Sequence, residues 1–159
     1  MMTKNYRGYP DLHEHLAALR AKNLLITIDQ PVNKDSELHP LVRWQFVGGM
    51  PEADRKAFLF NHVIDSHGRK FDMPVLVGAM AGNRAIYSIG MGVAIDQIAA
   101  RWDQAIAHPI APVLVTDADC HEVVWTGDDL IGQGRGLDCL PIPISSPGFD
   151  AAPTLTATN

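Results

Sequence analysis

At 159 residues with 47% hydrophobic content, the chain has the length of one domain and enough apolar side chain to bury a core. A formal net charge of −5 and a sequence pI near 5.7 provide no clustered basic surface for a nucleic-acid backbone. No apolar run reaches the roughly 18 residues that span a bilayer, and the polar stretch from Met1 to Tyr9 has no apolar signal core, so no membrane partner is expected and the cytosol is the expected compartment.

Asp11 caps the first predicted helix, and Glu14 three residues on completes a capping-box pattern. Leu12, Leu16 and Leu19 share one face, and Asn23 suits the left-handed position that ends such a helix. Leu24 to Ile28 is a short apolar run stopped by Asp29-Gln30-Pro31, which reads as a strand. Ser36 is the expected cap of a second helix, with Pro40 tolerable in its first turn. Leu38, Leu41, Val42 and Phe46 form its apolar stripe, and Gly48-Gly49 ends it. Ala57 to Val63 is strand-like, Asp65-Ser66-His67-Gly68 is a turn, and Pro74 to Gly78 is another buried-type strand. Asn83 to Ile89 reads as a short helix broken by Gly90 and Gly92. Val93 to Ala107 is the most helical stretch, with Ile95, Ile98, Ala99, Trp102 and Ile106 spaced by three and four. Trp44 and Trp102 fall on helical apolar faces and are expected in the core.

From Val113 the texture changes. Val113-Leu114-Val115, the turn Asp117-Ala118-Asp119, the extended Glu122 to Thr126 and the turn Gly127-Asp128-Asp129 suggest a strand-rich passage. Leu140-Pro141-Ile142-Pro143-Ile144 is extended but too rich in proline to be a central strand throughout. Thr154 to Asn159 favours β structure and stops without a cap or turn, so a truncated or processed chain, or a subunit docking on another, is expected. The fold class is therefore α/β: an α/β layer domain over residues 1–112, and a second, strand-rich unit beginning over residues 113–159.

Candidate chemical groups are few. His13 and His15 flank Glu14, but residues two apart on a helix point about 200° away from each other and cannot chelate one ion; both read as surface histidines. Asp117, Asp119, Cys120, His121 and Glu122 form the densest ligand-type cluster, yet consecutive residues cannot all converge, and a solvated turn is favoured. Cys120 lacks a flanking base on its own face and is not read as a catalytic thiol. Cys120 and Cys139 could pair in principle; without a secretory signal they are read as reduced thiols. Gly78, Gly82, Gly90 and Gly92 match neither phosphate-binding glycine pattern and are assigned to close packing and helix termination. Ser145-Ser146 lacks the glycines of a nucleophile elbow.

Taken in order, several segments carry a resemblance: Cys120-His121-Glu122-Val123-Val124, Gly127-Asp128-Asp129-Leu130, Leu140-Pro141-Ile142-Pro143, and Pro147-Gly148-Phe149-Asp150-Ala151-Ala152-Pro153 leading into Thr154-Leu155-Thr156. Upstream, Ile28-Asp29-Gln30-Pro31-Val32, Phe58-Leu59-Phe60-Asn61-His62-Val63 and Met73-Pro74-Val75-Leu76-Val77-Gly78 fall in the same order. Together they resemble the N-terminal portion of the UbiD family of decarboxylases, over essentially the whole chain. The loop from Ile131 to Cys139 is longer than the family pattern.

The resemblance implies a reversible, non-oxidative decarboxylase of aromatic, heteroaromatic or α,β-unsaturated acids, using prenylated FMN with manganese and potassium at its phosphate. It implies an N-terminal α/β domain followed by the first strands of a split β-barrel that binds the flavin, and a homo-oligomer. The family's metal-ligating Asn, His and Glu and its catalytic Glu-Arg-Glu set lie downstream of the matched segment. No catalytic or metal residue is therefore assigned here, and Asn159 is not taken as the metal asparagine. Thr156, Ala157, Thr158 and Asn159 match the first barrel strand, where Thr156, Thr158 and Asn159 would wall the flavin site. The chain alone is expected to be inactive and to bind no cofactor, its partner being the remaining barrel. The alternative is a non-catalytic interaction or regulatory subunit derived from such an enzyme.

Overall fold

The computed structural model describes residues 11–118, 121–144, 148, 150, 152, 153 and 155. Helix α1 spans Leu12–Ala21. Asp11 Oδ1 accepts the Glu14 N–H at 3.1 Å, and Asn23 takes the left-handed conformation (φ 56°) beyond the helix end, both as the sequence requires. Leu16 and Leu19 are buried and Leu12 is half exposed.

The centre is strand β3, Ala57–Phe60, buried at all four positions. It is flanked in parallel by β1, Leu25–Ile28, and antiparallel by β6, Val75–Val77. Because side chains alternate along a strand, β3 feeds two cores. Phe58 and Phe60 pack with Leu38 and Val42 of α2 (Leu38–Val47), while Ala57 packs with Leu16, Leu19 and Ile86. Ile86 belongs to α3, Arg84–Met91, so α2 covers one face of the sheet and α1 and α3 cover the other. The expected α/β layering is present.

A second sheet continues the first. Strand β2 (Val32–Asn33) runs parallel to β4 (Val63–Ile64), which pairs antiparallel with β5 (Lys70–Phe71). Two links bridge the sheets, Asp29-Gln30-Pro31 and Asn61-His62. The longer one is held by Asn61 Nδ2 donating to Asp29 Oδ1 at 2.6 Å and by Val32 N donating to His62 O at 2.9 Å. The turn joining β4 to β5 is built on Asp65 Oδ1, which accepts the N–H groups of His67 and Arg69.

Several expectations are corrected. Ser36 does not cap α2. The residue before the helix is Glu37, whose carboxylate reaches back to Asn33 N at 2.8 Å, and Pro40 sits in the first turn as required. Of the expected α2 stripe, Leu38 and Val42 are buried, but Leu41 and Phe46 are nearly half exposed and Trp44 is 69% exposed. Gln45 is buried in their stead, because its amide exchanges two 2.9 Å hydrogen bonds with Lys56 N and O at the entrance to β3. Gly90 lies inside α3 and does not break it; only Gly92, at φ 64°, ends the helix. The last helix, α4, is Ile98–Ala107 and is preceded by a 3-10 turn over Ile95–Gln97, so it starts later than its periodicity suggests. None of its residues is buried, and Trp102, exposed on one side, donates its indole N–H to Tyr87 Oη.

The passage from Val113 is not strand-rich among the described residues. It holds 3-10 turns at Gly127–Leu130 and Gly136–Cys139, joined by bends and a turn, and none of its described residues enters a strand ladder. β-favouring side chains make a strand only when a neighbour accepts the backbone bonds.

Candidate functional site

Thr156, Ala157, Thr158 and Asn159, the expected wall of a flavin site, lie outside the described residues, as do Asp119 and Cys120. Of the ligand-type cluster, Asp117, His121 and Glu122 line a shallow surface hollow of about 370 Å³, with His121 N donating to Ala118 O in a tight turn. Among the described residues no three His, Cys, Asp or Glu side chains converge on one metal position. No metal ligand and no chemical step is therefore assigned among the described residues.

His15 corrects the surface reading given to both histidines. His13 is exposed, but His15 is buried between α1 and the loop after β6, with Nε2 2.7 Å from Ala79 O and Cε1 facing Gly90. The glycine-rich loop serves packing, as expected. Gly78 is at φ 76°, and a Cβ on Gly82 would lie 2.7 Å from Gly78 O. The N-terminus of α3 carries internal acceptors: Asn83 Oδ1 takes Ile86 N at 2.7 Å, and Glu52 Oε1 takes Arg84 N at 2.5 Å. A carboxylate from the same chain therefore already occupies the place a phosphate would take.

Two other concavities are larger than about 300 Å³. An open, mostly apolar groove of about 950 Å³ runs between α2 and the loop after β6, with Phe46, Val47, Met80 and Leu12 on its walls. A smaller hollow of about 350 Å³ lies between the β4–β5 hairpin and residues 137–142. At its edge Arg69 pairs with Asp138, and Lys34, 7% exposed, pairs with Asp35. Burial opposes ionisation of Asp35, yet hydrogen bonds from Lys34 and Ser66 N outweigh it and hold the carboxyl below its usual value. Asp138 is lowered first by the Gly134 N–H and then by Arg69.

The most extensive feature is apolar surface. Ile110 and Leu114 are 95% and 100% exposed, and Val113, Val123, Val124 and Ile131 are all more than 60% exposed. Exposed aliphatic side chains in this number along one segment mark a surface made to be covered. Sequence reasoning missed this feature because it read Val113 to Val115 and Glu122 to Thr126 as parts of a strand-rich passage.

No protein-family model matches the sequence. Solved structures do. The apo structure of 3,4-dihydroxybenzoic acid decarboxylases from Enterobacter cloacae matches with TM-score 0.69 and 30% identity, over 92% of this chain and 30% of that one. The UbiD-class enzyme HmfF from Pelotomaculum thermopropionicum in complex with FMN matches with TM-score 0.66 and 26% identity, over 89% of this chain and 28% of that one. An evolved dimeric form of the same enzyme in complex with prFMN matches with TM-score 0.67 and 25% identity. The likeness extends across the α/β layers described above. Over about nine tenths of its length the chain is similar to UbiD-class enzymes, and it spans less than a third of the length of these relatives.

Proposed function

We propose that this chain is the N-terminal α/β part of a UbiD-like decarboxylase acting non-oxidatively on aromatic or α,β-unsaturated carboxylic acids. The observation that carries the reading is the 30% identity to the Enterobacter cloacae decarboxylase over 92% of the chain. Decarboxylation needs an electron sink for the carbanion, which prenylated FMN supplies when bound, and a proton donor to quench it. In this reading manganese and potassium hold the flavin phosphate in the complete enzyme, and both the metal ligands and the catalytic carboxylates lie downstream.

The chain's own contribution is threefold. Residues 1–112 form the α/β layer that packs beside the catalytic barrel and shields it from water. Residues 113–159 connect to that barrel and begin it. Thr156, Thr158 and Asn159 wall the flavin and substrate. The exposed run from Ile110 to Ile131 is where the remaining barrel seats, and the complete enzyme is a cytoplasmic homo-oligomer. The same exposed run also suits a non-catalytic interaction subunit that kept the α/β domain and lost the barrel.

The coding sequence beyond Asn159 separates the two. A continuing frame that supplies an Asn followed by an Arg, then a His and a Glu, is the expected result for the enzyme. A stop codon immediately after Asn159 in the native gene would leave the interaction subunit.

A further inference from the structure

Arg69 stands between the Asp65–Gly68 turn and β5, and its backbone N–H is fixed by Asp65 Oδ1 at 2.9 Å. Its guanidinium lies 4.7 Å from the Phe71 ring centroid, which orders the side chain before any partner arrives. The two arms of the fork then engage one residue 69 positions away. Nη1 donates to Asp138 Oδ2 at 2.6 Å, and Nη2 donates to Asp138 O at 2.8 Å. The same carboxylate oxygen accepts Gly134 N at 2.7 Å. Gly134 itself is at φ 76°, and a Cβ there would sit 3.6 Å from Arg69 Nη2, so the backbone of this segment lies against the guanidinium.

A second tie lies six residues on, where Ile144 N donates to Lys34 O at 3.2 Å, at the end of β2. Between the ties, Leu137, Leu140 and Ile142 roof the hollow of about 350 Å³ whose floor includes Phe71 and Lys34. An ordinary surface ion pair holds two mobile side chains and contributes little. This one differs in three ways: the Arg69 side chain is only 22% exposed, it is pre-ordered on a ring, and it binds main chain as well as carboxylate.

We propose that Arg69 is a latch that holds residues 134–144 as a strap across the β4–β5 hairpin, tying the second segment of the chain to the α/β layer and closing the hollow beneath it. The inference does not depend on the decarboxylase reading and is tested on the 159-residue chain itself.

The experiment is hydrogen exchange of the wild type and of Arg69→Ala, Arg69→Lys and Asp138→Asn, resolved to peptides of the strap and of β3. Opening of the strap exposes the N–H of Ile144, which is bonded across to Lys34 O. Arg69→Ala is expected to speed exchange of the strap about three- to fivefold while β3 exchanges as before. Arg69→Lys keeps the charge and loses the fork, so it restores only part of the protection. Asp138→Asn alters an exposed side chain that the core does not need, and it still speeds strap exchange if the latch exists. Unchanged strap exchange in Asp138→Asn and Arg69→Ala would overturn the proposal. So would an equal rise in strap and β3, which would make Arg69 a general packing residue.

Discussion

Single residues carry the polar order of this fold, and His15 is the sharpest case. Its ring bridges α1 to the loop after β6 through Ala79 O. His15→Ala deletes that bond and opens a gap facing Gly90, so we expect a loss of about 1–3 kcal/mol in urea denaturation. Gly82→Ala tests close approach at the same corner. The added methyl would lie 2.7 Å from Gly78 O, a main-chain atom that cannot swing away, so a lower melting temperature with unchanged secondary structure is expected. The acids give the pH dependence. Asp35 and Asp138 are both held below their usual values in the folded chain. A depressed folded pKa contributes stability that is present above the unfolded value, near ~3.9, and is lost as pH falls through the folded one. The denaturation midpoint should therefore decline in acid from about pH 4 downward, and Asp35→Asn should flatten that decline.

At the scale of elements, α2 and β3 are joined by an amide standing in for a strand. Gln45 pairs with both backbone groups of Lys56, as a neighbouring strand would. Gln45→Ala leaves that N–H and C=O unmatched, and we expect about 2–3 kcal/mol of destabilisation with faster exchange at Lys56 and Ala57. What the sequence made legible here follows the range of the forces involved. The Asp11 cap, the left-handed Asn23, Pro40 in the first turn and the Asp65–Gly68 turn depend on neighbours a few residues away, and all were readable. Burial depends on what arrives from elsewhere. Gln45 is inside because Lys56 is there, whereas Trp44, Phe46 and Trp102 lie on regular apolar faces that no described element covers. The passage from Val113 was misread for the same reason: its β-branched residues indicate strands, but the partners that would make them strands are not among the described residues. The candidate site was less legible. Thr156, Thr158 and Asn159 came from resemblance alone, and they fall outside the described residues.

For the whole molecule, the decisive feature is the contrast between a closed α/β layer and an uncovered connection. β3 is fully buried, while Ile110 and Leu114 stand almost entirely in solvent. The chain spans less than a third of the length of its UbiD-class relatives, and under the proposed decarboxylase reading this surface is where the remaining catalytic body would seat. Its three tryptophans report on this: Trp44, Trp102 and Trp125 are each at least 42% exposed, so acrylamide should quench all of them in the pure chain. Joining the downstream polypeptide should shield Trp125, next to Val123 and Val124, and leave Trp44 accessible. The central claim is that the chemistry resides in what joins this segment. Its most direct test is CO₂ release from aromatic and α,β-unsaturated acids supplied with prenylated FMN, manganese and potassium. The 159-residue chain should release none above the protein-free control, while the chain extended through its downstream frame should turn over. Turnover by the pure 159-residue chain, or an extended, flavin-loaded protein that is equally inert on every acid, would contradict the account.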